Sequence, residues 1–369
     1  MNRIDALSPY APPLAGYGPL PIGVTADEVV LEDQPDIFVP SEAGARRVLS
    51  CERWYPALAG TVPGGTYDTL LRCGTRRAVL HGRAARDAAA QAGAWPLVVI
   101  SHGYPGSRHL MVHLAETLAS RGFVVMACDH PGSVYDDPRA FGETLLHRPL
   151  DQVGLIDALV ARADEIGIDD TRVGLIGYSM GGYGALISGG AGLAPGAVDF
   201  ERAPPARMLA RHVRGGAAHR ALARDALRAV VAIGPWGGLY GMWDAQGLAG
   251  MRVPVLTLAG TRDDVSGYAA MRGLHDGMTG VARRLVRFDG AGHNAAAPHP
   301  APAESHAMSD ALGWAPFAHY ADPVWDTVRM NNIAQHFVAD FLGMHLAGSA
   351  PAELPVIEGV AVMDAGGGL

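Results

Sequence analysis

Lysine is absent from all 369 residues, so the 29 basic residues are arginines throughout. A bias of this kind is what a GC-rich genome produces, yet it excludes chemistry. A Walker-type phosphate loop, a pyridoxal Schiff base and a Ser-Lys dyad each require the missing amine. Cysteine is scarce as well. Cys51, Cys73 and Cys128 are far apart and form no CxxC pair, so neither a zinc site nor a disulfide framework is expected. Buried free thiols are the default, and a Cys51–Cys73 bridge enters only if the protein is exported. No run of 18 apolar residues occurs, so no membrane span is expected. The stretch Met1–Gly23 lacks a charged region followed by an apolar one, so no signal peptide is read there and a cytoplasmic protein is expected. Net charge is −8 and the arginines are scattered. A nucleic-acid face or a polybasic membrane anchor needs concentrated positive charge, so neither partner is expected.

What is present is enough apolar content, 49% of residues, to bury a full core in one large domain. Prolines 9, 12, 13, 19 and 21 make residues 1–25 an extended arm. Strand-like pieces near Glu28–Leu31, Arg47–Trp54 and Arg77–Leu80, separated by Gly/Pro turns, suggest an antiparallel sheet edge. From residue 96 short apolar runs (Pro96–Ser101, Phe123–Ala127, Arg172–Ile176, Ala229–Ile233, Val253–Ala259, Arg284–Phe288) alternate with helical segments at Arg108–Ser120 and Leu150–Glu165. Buried strands alternating with helices imply βαβ units, hence an α/β protein whose mostly parallel sheet of about eight strands is covered on both faces. Residues 190–227, rich in Ala, Arg and Pro, lie where a cap is inserted in such folds. Residues 294–322 form a long Pro/His-rich loop of the kind that is often functional. The domain, 26–348, closes on a helix around Trp325–Leu346, and 349–369 read as a Pro/Gly-rich tail.

Gly177-Tyr178-Ser179-Met180-Gly181 follows one of these apolar runs and opens a helical segment. In the G-x-S-x-G pattern the serine occupies a sharp strand-to-helix turn, and the glycines let the flanking elements approach closely. A serine hydroxyl needs a base, and the base needs an orienting carboxylate. In this architecture the chain order is serine, acid, histidine. Asp263 follows the run VPVLTLAG at the end of a strand where such sites form; its neighbour Asp264 is the competitor. His293, after Gly290-Ala291-Gly292, is favoured over His299, His306 and His319. The oxyanion hole needs two amides. One is expected from Met180 and the other from the loop Ser101–Gly106, where Pro105 has no N–H and Tyr104 is preferred to Gly103.

Tyr104, Trp236, Trp243 and Trp314 are candidates for lining an apolar substrate pocket, with ordinary packing as the competing role. His109 and His113 share a helix face at i, i+4 but lack a third ligand, so no metal is expected. Asp129-His130 ends a strand and is read as hydrogen-bonding support for the site. Asp136 and Asp137 read as a solvated loop pair.

With these residues placed, the chain resembles the α/β-hydrolase superfamily. It is more narrowly similar to bacterial proteins called predicted dienelactone hydrolases, related to platelet-activating-factor acetylhydrolases and cutinase-like polyester-degrading enzymes. The resemblance runs through Trp54-Tyr55-Pro56, Ser101–Gly106, Arg121–His130, Arg148-Pro149-Leu150-Asp151, Gly177–Gly182, Gly260–Asp263 and Gly290–Asn294. It implies Ser179, Asp263 and His293 as a triad, with the Tyr104 and Met180 amides as oxyanion hole. Dienelactone hydrolases proper use a cysteine nucleophile where this chain has serine, so the family label does not supply the substrate. The loop 294–322, with His299 and Glu304, exceeds the minimal fold. The function expected is carboxylic ester hydrolysis through an acyl-enzyme, without cofactor, on a small-molecule substrate. An amidase or lactonase would use the same groups, and a non-catalytic binding protein could keep the same fold. Assembly into a homo-oligomer stays open.

Overall fold

The computed structural model describes residues 2–37, 44–139 and 141–366. Among the described residues thirteen strands run in chain order. They are β1 (Asn2–Arg3), β2 (Ile22–Gln34), β3 (Ala45–Pro56), β4 (Thr66–Leu70), β5 (Arg77–His81), β6 (Ala85–Arg86), β7 (Trp95–Ser101) and β8 (Val124–Cys128). After these come β9 (Ile168–Tyr178), β10 (Leu227–Ile233), β11 (Val255–Gly260), β12 (Arg283–Phe288) and β13 (Val360–Ala365). The main sheet has ten strands in the order β13-β12-β11-β10-β9-β7-β8-β3-β2-β6. Pairing is parallel from β8 through β12, and antiparallel where β13 joins β12, β3 joins β8 and β2 joins β3. A separate three-stranded sheet orders β1-β5-β4.

Period-two alternation explains why both faces are covered. On β7, Val98 and Ile100 face one core with the helices Val112–Ala119 and Thr327–Ala347, while Leu97 and Val99 face the other with the helices Phe141–Val160 and Met180–Ser188. The α/β-hydrolase architecture expected from the sequence is therefore present. Its strand number differs. The segment Arg77–His81 belongs to the small sheet, and two additional strands join the main one, Ala85–Arg86 and Val360–Ala365. The latter lies in the segment read as a Pro/Gly-rich tail; its backbone completes the edge of the sheet at β12.

The arm before β2 is anchored, not free. Tyr17 Oη donates to Glu116 at 2.6 Å, Gly18 N–H donates to Ser120, and Ser8 N–H donates to Asn332. Residues 190–227 form short 3₁₀ turns at Pro195–Asp199 and Pro205–His212 with a single helical turn at Ala217–Arg220, a cap-like insertion over one sheet face. Among the described residues no helix is long and apolar enough to cross a membrane.

Candidate active site

The residues singled out for chemistry lie beyond the C-terminal ends of parallel strands of the main sheet: Ser179 after β9, Asp263 after β11, His293 after β12 and Tyr104 after β7. Ser179 has φ +52° and ψ −111°, an uncommon backbone state for a residue with a Cβ. Surrounding hydrogen bonds hold it there. Its N–H donates to Ile233 O at 2.8 Å, and its carbonyl accepts from Tyr183 N at 3.0 Å and Trp236 N at 3.1 Å. The motif glycines answer to close approach. A Cβ on Gly177 would sit 2.1 Å from Gly181 O, and one on Gly181 would sit 2.0 Å from Ser101 O.

Ser179 Oγ lies 2.9 Å from His293 Nε2, and His293 Nδ1 lies 2.8 Å from Asp263 Oδ2. A carboxylate only accepts, so Nδ1 carries the proton and Nε2 is free to accept from the serine hydroxyl. Asp263 Oδ1 accepts from the N–H groups of Val265 and Ser266 at 2.9 and 2.8 Å. Burial works against the charge on Asp263, but the hydrogen bond and attraction of His293, with the two amides, outweigh it. Its carboxyl is held below the ordinary range. Asp264, the alternative acid, is exposed and makes no contact of this kind with the imidazole.

His293 is steadied by a residue that the sequence did not single out. Tyr178 packs its ring 5.2 Å from the imidazole and donates its hydroxyl to the His293 carbonyl at 3.2 Å. The variable position of a G-x-S-x-G motif gives no signal for such a role. Beside His293 a cavity of about 440 Å³ is lined by Arg72, Arg262, Trp314, Ala318 and His319. An aromatic wall runs from Tyr104 to Phe141 (5.2 Å), Trp236 (5.1 Å) and Tyr240 (4.8 Å). Trp236 is 6% exposed, so most of its surface packs against protein. Trp243 is buried and donates to Ala191 O, a structural role.

Other candidates resolve differently. His299 is buried and stacks on Tyr320, and His306 lies against Phe317. Glu304 accepts from Asn2, which fastens the loop to the N-terminal arm. His109 faces Glu52 at 3.6 Å, and His113 is buried. Among the described residues no group of three or more His, Cys, Asp or Glu gathers as metal ligands. Asp137 pairs with Arg139. The three thiols are free and buried, with Cys51 and Cys128 opposite each other on β3 and β8.

A second Ser–His–Asp line lies at the base of the loop Ser101–Gly106. Ser101 Oγ is 2.8 Å from His130 Nε2, and His130 Nδ1 is 3.1 Å from Asp151 Oδ2. Its hydrogen-bond pattern is that of a catalytic triad. Exposure separates the two lines: Ser101, His130 and Asp151 are 0%, 1% and 0% exposed, against 7% for Ser179. Arg47 closes the inner line with hydrogen bonds of 2.8 and 2.9 Å to Asp151. His130 thus reaches toward the site through Ser101, the first residue of the loop Ser101–Gly106, while its neighbour Asp129 bonds Arg108.

The fold is α/β-hydrolase-like, and at the C-terminal ends of its strands it holds a hydrogen-bonded Ser–His–Asp arrangement of the kind serine hydrolases use. Residues 84–194 match a family model described as PETase, PET hydrolase-like. This span contains the loop Ser101–Gly106 and the Gly177–Gly181 turn and ends before Asp263 and His293. The chain is 36% identical over 95 residues to a bis(hydroxyethyl) terephthalate hydrolase of Streptomyces coelicolor, covering 26% of this chain and 28% of that protein. It is 38% identical over 89 residues to cutinase est2 of Thermobifida alba, covering 24% and 28%. The aligned stretch thus spans little more than a quarter of the length of these relatives. A ferulic acid esterase from Streptomyces cinnamoneus superposes with a TM-score of 0.68 at 21% identity, covering 98% of this chain and 99% of that one, a likeness of fold.

Proposed function

We propose that the protein hydrolyses carboxylic esters through an acyl-enzyme, with Ser179 as nucleophile, His293 as general base and Asp263 as the group that fixes the imidazole tautomer. The observation that carries this reading is the hydrogen-bonded line of 2.9 and 2.8 Å, which ends on the serine with φ +52°. Ser179 attacks the ester carbonyl as His293 takes its proton. The amides of Tyr104 and Met180 receive the oxyanion, and Met180 supports this role as the first residue of a helix, whose leading N–H groups lack intrahelical partners. His293 returns the proton to the departing alcohol, and water then cleaves the acyl-enzyme through the same base.

The aromatic wall favours an ester with an apolar or aromatic acyl group, in keeping with the names of the partial relatives. The narrower resemblance to dienelactone hydrolases and platelet-activating-factor acetylhydrolases rests on the sequence motifs alone. Ser179→Ala is expected to abolish p-nitrophenyl ester turnover and fluorophosphonate labelling with the fold intact, whereas Ser101→Ala keeps labelling at Ser179. Retained turnover in Ser179→Ala would sink the assignment. Rates on a matched ester and anilide test the ester preference, and an anilide rate equal to the ester rate would replace it with an amidase reading.

A further inference from the structure

Arg148 is 1% exposed, in the middle of the helix Phe141–Val160, directly before Pro149. A buried cation ordinarily has a carboxylate bonded to it. Among the described residues Arg148 forms no ion pair. Asp151, the nearby acid, bonds Arg47 and His130 instead. The Arg148 guanidinium reaches the oxyanion loop. Nη1 donates to the His102 carbonyl, Nη2 lies 3.4 Å from the Gly103 carbonyl, and Nη2 is anchored at 2.5 Å by Ser133 Oγ. The Gly103 carbonyl also accepts from His102 Nδ1 at 2.7 Å, and His102 Nε2 accepts from the His130 N–H at 3.2 Å.

These contacts have a consequence for the opposite side of each peptide. In a trans peptide the N–H points away from the C=O. A carbonyl of Gly103 turned toward Arg148 therefore turns the Tyr104 N–H away from Arg148. Gly103 itself lies against the nucleophile, since a Cβ there would be 3.3 Å from Ser179 Cβ. A hydrogen bond from a cation also polarises the amide it touches, which makes the N–H at the other end a stronger donor.

We propose that Arg148 is a positioning residue for the reaction: it aligns and polarises the His102–Gly103–Tyr104 peptides so that the Tyr104 amide is preorganised for the oxyanion. The proposal rests on the reading of Ser179 and Tyr104 given above. The buried line Ser101–His130–Asp151–Arg47 is the floor that keeps His102 and its loop in register. Burial lowers the Arg148 pKa only to about 10, so the cation persists at neutral pH.

The test compares Arg148→Lys and Arg148→Met with the native protein on p-nitrophenyl butyrate and on a trifluoromethyl ketone, which captures the serine as a tetrahedral adduct. Arg148→Met is expected to lower kcat roughly 10- to 100-fold, less than outright loss of an oxyanion donor, with KM nearly unchanged. Affinity for the ketone should fall in the same ratio. Arg148→Lys keeps the charge but has no fork to span two carbonyls, and should fall between the two. A folded Arg148→Met with native kcat, or one whose loss is confined to KM, overturns the proposal. Should neither variant fold, Ser133→Ala decides, because it frees Nη2 while keeping the buried charge. A several-fold loss of kcat and of ketone affinity supports the proposal, and native values overturn it. Mapping the fluorophosphonate adduct on the native protein separates the two failures. An adduct away from Ser179 refutes the nucleophile, whereas an adduct on Ser179 with unaffected Arg148 variants refutes only the positioning role.

Discussion

Asp263 accepts three hydrogen bonds, and the one from His293 Nδ1 decides which nitrogen faces Ser179. Asp263→Asn keeps the size of the side chain but lets its amide donate to Nδ1, which would put the imidazole proton on Nε2 and leave the serine hydroxyl without an acceptor. We expect kcat to fall by about 10³–10⁴ with KM little changed. Part of the lost rate should return at high pH, where the serine ionises without help. A pH–rate profile on p-nitrophenyl acetate checks this, and a loss below tenfold would remove Asp263 from the relay. The three residues of this relay were legible because each follows an apolar run and sits among glycines, a local signature. Tyr178 and Arg148 were not legible as participants. Their effect on the site depends on which backbone carbonyl each one meets, and that is set by how the helix Phe141–Val160 packs on the loop after β7 and how the end of β9 meets the loop after β12.

At the scale of an element, the helix Val112–Ala119 carries a carboxylate that would look misplaced in a sequence reading. Glu116 is fully buried. It accepts from the hydroxyls of Tyr17 and Tyr67 at 2.6 and 2.5 Å and from the N–H groups of Arg83 and Ala84 at 2.9–3.0 Å. One side chain thereby joins the N-terminal arm, β4 and the turn between β5 and β6 to the main body. Glu116→Leu leaves four donors without an acceptor, and we expect a loss of about 3–5 kcal/mol in unfolding free energy with the Ser179 relay unaffected in the surviving folded fraction. Chemical denaturation measures the first quantity and fluorophosphonate labelling the second. A loss below 1 kcal/mol would show that water replaces the carboxylate. The parallel strands β7 to β12 could be read from continuous apolar runs bounded by turns. The edge strand β13 could not, because Val360–Ala365 has a half-exposed pattern amid glycine and proline and gains its pairing only from β12. The helix starting at Phe141 was also read too late: Pro149 made residue 150 look like its start, yet the helix continues through it.

Across the whole molecule, histidines rather than carboxylates should set the response to mild acid. Burial lowers the pKa of His113 to about 3, aided by nearby His299, and that of His299 and His212 to about 4. An unfolded histidine titrates near 6.5. Between these values the unfolded chain binds protons that the folded chain refuses, so stability is complete above pH 6.5 and is lost as pH falls toward 4. Each of the three contributes on the order of 1–2 kcal/mol of destabilisation at pH 5. Asp263 and Asp151 act in a lower window. Their folded pKa values are depressed, so their contribution is present above the unfolded carboxylate value and fades only below about pH 4. The thermal midpoint is therefore expected to fall steadily from pH 7 to pH 5, before Asp263 and Asp151 are protonated. His113→Leu removes one of these proton sites from the interface of the helix Val112–Ala119 with the loop 294–322 and should flatten that slope, whatever it does to the midpoint at pH 7. A native midpoint that stays level from pH 7 to pH 5, or a His113→Leu slope as steep as the native one, would show that the buried imidazoles find protons without unfolding.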